Sequence, residues 1–204
     1  MQLAKTHFNV NTFAILILAA GKSSRLGRPK QLLSYRGKNL LQHSIDSAKQ
    51  AGSNKVIVVL GSSKDIIQNK IEIDGIEIAE NPDFESGISS SIKAGINALK
   101  KTAPGVDALI LMVCDQPFAK TEILTSLVHK QKQTGKAIVG CIYENTKGTP
   151  ALFHSSIFPE LLSLEGDTGA KKLFDEYHDA ASFVSFRDGG IDIDTSEDYQ
   201  NLPK

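Results

Sequence analysis

Tryptophan is absent from this chain of 204 residues, aromatic side chains make up 6% of it, and cysteine and methionine each occur only twice. The two cysteines, Cys114 and Cys141, each stand at the end of an apolar run with no partner at metal-ligand spacing. That argues against a disulfide framework or a thiolate metal centre and leaves two buried thiols. A charge of one sign is also missing, because 23 Lys plus Arg balance 23 Asp plus Glu. No global field draws the chain to nucleic acid or to an acidic membrane, so any anion selectivity must be local. No apolar run approaches the length of a bilayer span. The run Phe13 to Ala20 is short and leads into charged residues, so it reads as a first strand and not as a signal-peptide core. The location expected on that basis is the cytoplasm. Nor is there a Ser-His-Asp or Cys-His arrangement at recognisable spacing, since His43, His129, His154 and His178 are scattered.

What is present is a hydrophobic content of 41%, ordinary for an enzyme, in a chain long enough for one large α/β domain and cramped for two. Residues 1–11 are polar and irregular and read as a flexible leader, with 12–204 as the domain. The stretch Ala14 to Lys30 organises the rest. Its first half is a continuous apolar run that Gly21 stops, the pattern of a parallel strand buried on both faces. Its second half carries Gly21, Gly27, Ser23 and Ser24 together with Lys22, Arg25, Arg28 and Lys30, enough backbone amide, hydroxyl and positive charge to surround a polyanion. A Walker P-loop would need glycine where Leu16 stands, and a dinucleotide fingerprint would need glycine at Ser23. Both are excluded. A solvated basic loop is the plain alternative.

Beyond the loop, Gln31 to Tyr35 reads as a short extended piece and Arg36 to Lys38 as a turn. A helix is predicted over about 39–50 with Gly52 as its stop, then a strand over 55–60, a helix capped by Ser62 or Ser63, and a strand over 76–79. This is an alternating β and α rhythm. From Ile88 the pattern turns helical, with Ile92, Ile96 and Leu99 joined on one face by Ser91 and Gly95. Gly87, Ser91 and Gly95 either allow close packing on the sheet or leave room for a flat base, and a buried Ser91 could simply bond the carbonyl of Gly87. A further buried strand is predicted over 108–113, with Asp115 at its carboxyl end on the side of the Gly21 loop. A carboxylate beside a phosphate loop calls for a cation between them, which points to Mg²⁺; the alternative makes Asp115 a cap for the helix over 121–133. Strand 137–142 and an extended piece over 147–153 come next, then a helix over 158–164. A second helix follows Gly166 to Ala170, with Asp167 or Thr168 as a cap, near Lys171 and Lys172, which could hold another anion. Near the end, strand alternation would put Asp192 and Asp194 on one face and both isoleucines on the other, and Thr195 with Asp198 resembles a capping box. Asp194 is thus a candidate second metal ligand, with a polar edge strand as the alternative.

The run from Leu18 to Lys30 resembles the signature of the nucleotidyltransferases that activate sugars, isoprenoid precursors and the molybdenum cofactor. Together with Asn81-Pro82, Gly87, Ser91 and Gly95, Asp115-Gln116-Pro117, Gly148-Thr149-Pro150, Gly166 to Ala170 and Asp192 to Thr195, it is similar to the molybdenum cofactor cytidylyltransferase branch. The resemblance runs from about Ile15 to Tyr199 and implies a single-domain three-layer α/β/α Rossmann-like nucleotidyltransferase fold with a mostly parallel sheet. It implies that Ala19, Ala20, Gly21, Ser23, Gly87 and Ser91 bind the nucleotide, that Arg25 holds the β and γ phosphates and Lys30 the α-phosphate, and that Asp115 and Asp194 hold Mg²⁺. Pro150, Asp167, Gly169 and Lys171 would meet the acceptor, although lysine at 171, where the family usually has arginine, offers no bidentate contact. Leu26 and Ser196 also depart from the family pattern, at positions where that looks harmless. Ala20, where the guanylyltransferase branch usually has glycine, favours CTP over GTP. The implied partners are CTP, a molybdopterin-type cofactor and a xanthine dehydrogenase-family molybdoenzyme, with no nucleic acid and no membrane, and the expected form is a monomer. A different nucleotide or acceptor, and a non-catalytic cofactor carrier, are the competing readings.

Overall fold

The computed structural model describes residues 6–61 and 63–203. Its main sheet has seven strands in the order β5-β4-β1-β6-β8-β7-β9. These are β1 (Phe13–Ala19), β4 (Lys55–Leu60), β5 (Glu77–Glu80), β6 (Ala108–Val113), β7 (Ile138–Tyr143), β8 (Thr146–His154) and β9 (Ala181–Ser185). β2 (Ser34–Tyr35) and β3 (Lys38–Asn39) form a separate hairpin. The sheet is parallel except where β8 runs antiparallel to both β6 and β7.

The apolar runs are continuous because both faces of these strands are covered. In β1, Ala14, Leu16 and Leu18 enter one core with Ile92, Ile96 and Leu99 of α3 (Ile88–Thr102), and with α5 (Phe158–Ser163) and α6 (Lys172–Glu176). Phe13, Ile15 and Ile17 enter the other, beneath α1 (Leu40–Gln50), α2 (Lys64–Gln68) and α4 (Thr121–Thr134). Gly95 belongs to packing and not to a ligand, because a Cβ there would lie 2.2 Å from Leu16 Cδ1. Asn39 caps α1 by accepting from the Gln42 amide. Of the two caps expected for α2, Ser62 lies outside the described residues and Ser63 makes no side-chain cap bond.

Several expectations give way to the structure. α6 begins only at Lys172, so neither Asp167 nor Thr168 caps it. Residues 190–194 form no strand: Ile193 is buried while Ile191 is 40% exposed, so the two isoleucines do not share a face. Their role is instead that of a plug, since Ile193 joins Leu33, Tyr35, Leu40 and Leu202 in a third small core. The edge strand β9 has four half-buried residues and an exposed Ser185, and carries no apolar run to announce it. Of the expected leader, residues 1–5 lie outside the described residues. Val10 is buried, the Phe8 amide donates to the Gly135 carbonyl, the Gln131 side chain donates to the Phe8 carbonyl, and Asp107 accepts from the amides of Asn11 and Thr12.

β1 leads through α1 to β4 on one side of it, and β5 returns through α3 to β6 on the other side. The strand order therefore reverses between β1 and β6, and a crevice opens at their carboxyl ends. No described helix is long and apolar enough to cross a membrane.

Candidate active site

At that crevice the side chain of Lys30 stands between two carboxylates. It is carried there by a short helical turn at Lys30–Leu32 that ends the basic loop. Its Nζ donates to Asp115 Oδ2 and, at 2.8 Å, to Asp194 Oδ1. Burial works against the ammonium, but the charge and hydrogen bond of Asp115 and the bond to Asp194 outweigh it, and the pKa of Lys30 is raised above its ordinary value. Asp115 lies just past β6, as the sequence predicts, and caps nothing: the residue at the N-cap of α4 is Lys120. Asp194 reaches the same point from the far end of the chain, because the Ile193 amide donates to the Asp115 carbonyl at 3.0 Å. Arg25 Nη2 pairs with the other Asp194 oxygen at 3.2 Å. The bond from Lys30, opposed by burial and assisted by the charges of Lys30 and Arg25, holds the Asp194 carboxyl below the usual carboxylate range.

The cluster has more negative charge than these contacts use. Asp115 Oδ1 is buried and has no hydrogen-bond partner among the described residues. Crowding by surrounding atoms and the charges of Asp115 and Asp194 push the Asp192 carboxyl up to about 6. Hard carboxylate oxygens, one of them without a partner, fit Mg²⁺ or Mn²⁺. Among the described residues no three His, Cys, Asp or Glu side chains are arranged to hold a metal. Asp115 and Asp194 would therefore hold such an ion only together with substrate oxygens.

Beside the cluster lies a cleft of about 270 Å³, lined by Ala19, Ala20, Gly21, Lys30, Gln31, Phe84, Gly87, Ile88, Ser91, Asp115 and Asp167 among others. A larger cavity of about 310 Å³ between α1 and α4 contains none of Lys30, Asp115 or Asp194. Most of the residues expected at the nucleotide thus meet in one place. Ser91 does not bond the Gly87 carbonyl; Ser90 does, at 2.7 Å, while Ser91 Oγ accepts from Asn81 Nδ2 at 2.9 Å. Gly87, at φ 94°, lets the Gly166–Asp167 backbone approach so closely that a Cβ would lie 2.3 Å from Gly166. Asp167 thereby lines the cleft, and Gly169 lies beside Ile88. Ser23 does not line the cleft, and its Oγ accepts the Lys30 amide at 2.9 Å. Pro150 is buried within β8 and Lys171 is exposed beside α6; neither lines the cleft.

Sequence reasoning passed over Gln31 and the bonding roles of Asn81 and Gln116. Gln31 is 1% exposed. Asn81 also donates to Ser90 at 2.8 Å and accepts from the Asp83 amide, so its orientation is fixed. Gln116 ties Gly189 to Thr149. One signal was available, namely an amide residue directly beside Lys30 or Asp115, or at the end of a strand run.

An open α/β sheet with a cationic loop and paired carboxylates at its switch point is suited to a phosphate-bearing substrate. Residues 15–181 match the MobA-like NTP transferase domain family, and the chain belongs to that family. It is a nucleotidyltransferase. Nicotine blue oxidoreductase of Paenarthrobacter nicotinovorans is 27% identical over 92% of this chain and 94% of its own length. A probable molybdenum cofactor guanylyltransferase of Bacillus cereus is 23% identical over 96% and 98%. Among solved structures, Rv0371c of Mycobacterium tuberculosis is 29% identical with a TM-score of 0.82, covering 95% of this chain and 98% of its own. The same protein has been solved as a complex with manganese, at 28% identity and a TM-score of 0.76 over 94% and 98%.

Proposed function

We propose that this protein transfers CMP from CTP to the terminal phosphate of molybdopterin carrying molybdenum, forming the cytosine dinucleotide cofactor. An acceptor phosphate oxygen attacks the α-phosphorus in line, the new P–O bond forms, the bond to the β-phosphate breaks, and pyrophosphate leaves. The observation that carries this reading is Lys30, shared between Asp115 and Asp194 at the edge of a cleft lined by Ala19, Ala20, Gly21 and Ser91. Such transfer depends on positioning and on neutralising charge, and no general base is required of the protein.

Each residue has a defined task in this scheme. Lys30 gives up a carboxylate contact to meet the α-phosphate, and Arg25 turns from Asp194 to the β and γ phosphates. Asp115 and Asp194 would hold Mg²⁺, which supplies charge neutralisation at phosphate oxygens when bound. Gly21, Gly87 and the hydroxyl of Ser91 face the base and ribose, while Ser23 keeps the loop closed on the Lys30 amide. Pro150, Asp167, Gly169 and Lys171 remain the acceptor side, with Asp167 near enough to the nucleotide cleft to meet both substrates. Ala20, in place of glycine, selects CTP. On the family resemblance, the catalytic domain is residues 12–204, acting in the cytoplasm as a monomer and passing its product to a xanthine dehydrogenase-family molybdoenzyme.

Pyrophosphate release is the test, with CTP and with GTP, each in the presence of Mg²⁺ and molybdenum-loaded cofactor. Release with CTP well above that with GTP is expected. The guanylyltransferase relative makes GTP the specific rival, and a preference for GTP would overturn the assignment to Ala20. Cofactor binding without pyrophosphate release from either nucleotide would identify a carrier.

A further inference from the structure

We propose that Gln31 is the positioning residue of the nucleotide cleft, its side-chain amide setting the orientation of the Ala19–Gly21 backbone that receives the nucleotide. The proposal rests on the nucleotidyl-transfer reading above and names a residue that reading does not use. Gln31 follows Lys30 in the same helical turn and is 1% exposed, although Leu32 and Leu33 come directly after it. A primary amide is buried only where its hydrogens find acceptors. Both are used here on one strand end: Nε2 donates to the Ala19 carbonyl at 2.7 Å and to the Gly21 carbonyl at 3.1 Å.

The consequence follows from peptide geometry. In a trans peptide the carbonyl and the next N–H point in opposite directions. Holding the carbonyls of Ala19 and Gly21 on Gln31 therefore turns the N–H groups of Ala20 and Lys22 away from it, where neither finds a protein acceptor among the described residues. Backbone amides fixed in this way are what an anion or a base edge can use. Ser23 completes the clamp, with its Oγ accepting the Lys30 amide at 2.9 Å and lying 3.5 Å from Gln31 Oε1. One turn thus carries Lys30 and also holds the Ala19–Gly21 strand end beside it. Gln31, Ala19, Ala20, Gly21 and Lys30 line that same cleft.

Gln31→Met, close in length and without donors, separates positioning from folding. CTP affinity with Mg²⁺ is measured by calorimetry, KM for CTP and for the acceptor by pyrophosphate release, and the fold by circular dichroism. A folded variant with CTP binding weakened at least 10-fold, KM for CTP raised in parallel and acceptor KM within two-fold is expected. CTP affinity within two-fold of the parent, with only a lowered melting temperature, would reduce Gln31 to a structural residue and overturn the proposal. Should Gln31→Met fail to fold, Gln31→Asn, whose amide is one methylene short and spans only one carbonyl, is read the same way: weakened CTP binding supports the proposal and unchanged binding overturns it. A folded parent protein that binds no nucleoside triphosphate would remove the nucleotidyl-transfer reading itself, and this proposal with it. That result differs from one in which the parent binds and the variant binds equally.

Discussion

Two segments close on Asp115, and they are held in opposite ways. The loop from Gly21 to Lys30 buries nothing in its helical turn Ser24–Leu26 and is tied down by polar bonds from Ser23 and Gln31. The segment from Gly189 to Asp194 is anchored by a buried Ile193, by backbone bonding to Asp115, and by a capping box in which Thr195 and Asp198 satisfy each other at the start of α7 (Ser196–Gln200). The loop delivers the cations and the plug delivers a carboxylate. In the proposed transfer, the cations that follow a substrate's phosphates sit on a loop whose turn has no fully buried residue, and the carboxylate that keeps its place stands next to the buried Ile193. A site built this way keeps its rigid part preorganised and lets its mobile part adapt.

The contrast can be broken from either side, and the loop side has the largest expected effect. Lys30→Ala should lower turnover by about 10³-fold or more, as removal of a main electrostatic group does, while circular dichroism remains that of the parent. Asp115 and Asp194 then lose their shared partner, so thermal stability should fall and should recover on adding Mg²⁺. Retained cytidylyl transfer would end the role assigned to Lys30. On the plug side, Ile193→Ala opens a cavity in the small core and should cost about 2–5 kcal/mol in urea unfolding. A loss no larger than for an exposed residue would show that Ile193 anchors nothing. Thr195→Ala should cost about 0.5–2 kcal/mol through the lost cap. Its acid dependence has a definite sign. The side-chain and backbone bonds of Thr195 hold the Asp198 carboxyl below its ordinary value, so this support is present above the unfolded carboxylate pKa and is lost as pH falls through the folded one. The gap between parent and variant should therefore narrow at low pH without closing, because the Asp198 amide still donates to Thr195 Oγ in the parent; a gap that does not change with pH would show that the Thr195 hydroxyl does not support the Asp198 carboxylate.

Legibility divided along the same line. The strands at Lys55–Leu60 and Ala108–Val113, the loop after β1 and the place of Asp115 at the end of a strand could all be read, because a strand covered on both faces announces itself as an unbroken apolar run and its end as the first glycine or charge after it. Asp194 could be named from its neighbours but not from the right geometry, since strand alternation predicted a face where the structure has a plug. Whether Ile193 turns inward depends on Leu33, Tyr35, Leu40 and Leu202, a contact no local pattern records. The same holds for β9, whose half-buried residues gain their strand pairing from β7, and for β8, where the sequence predicts a turn and an extended piece but not the antiparallel pairing inside a parallel sheet. Gln31 was missed for a related reason: burial of a polar side chain is settled by acceptors that the chain supplies twelve residues away.

The mildest probe compares the two halves without altering a residue. Cys114 ends the parallel half beside β6, and Cys141 lies within β7 in the antiparallel half. Burial pushes both thiols up to about 12, so at pH 8 neither should react with a disulfide reagent while the protein is folded. In urea below the main transition they should part company. β7 and β8 shift register between Val139 and Cys141, and the β9 that covers β7's other side is itself only half-buried. Interrupted pairing beside an incompletely covered edge favours local opening. Cys141 should therefore be labelled first, at a rate exceeding global unfolding, and Cys114 only with the global transition. The reverse order would make the parallel half the softer one and would remove the mechanical basis for treating Asp115 as the fixed point of the site.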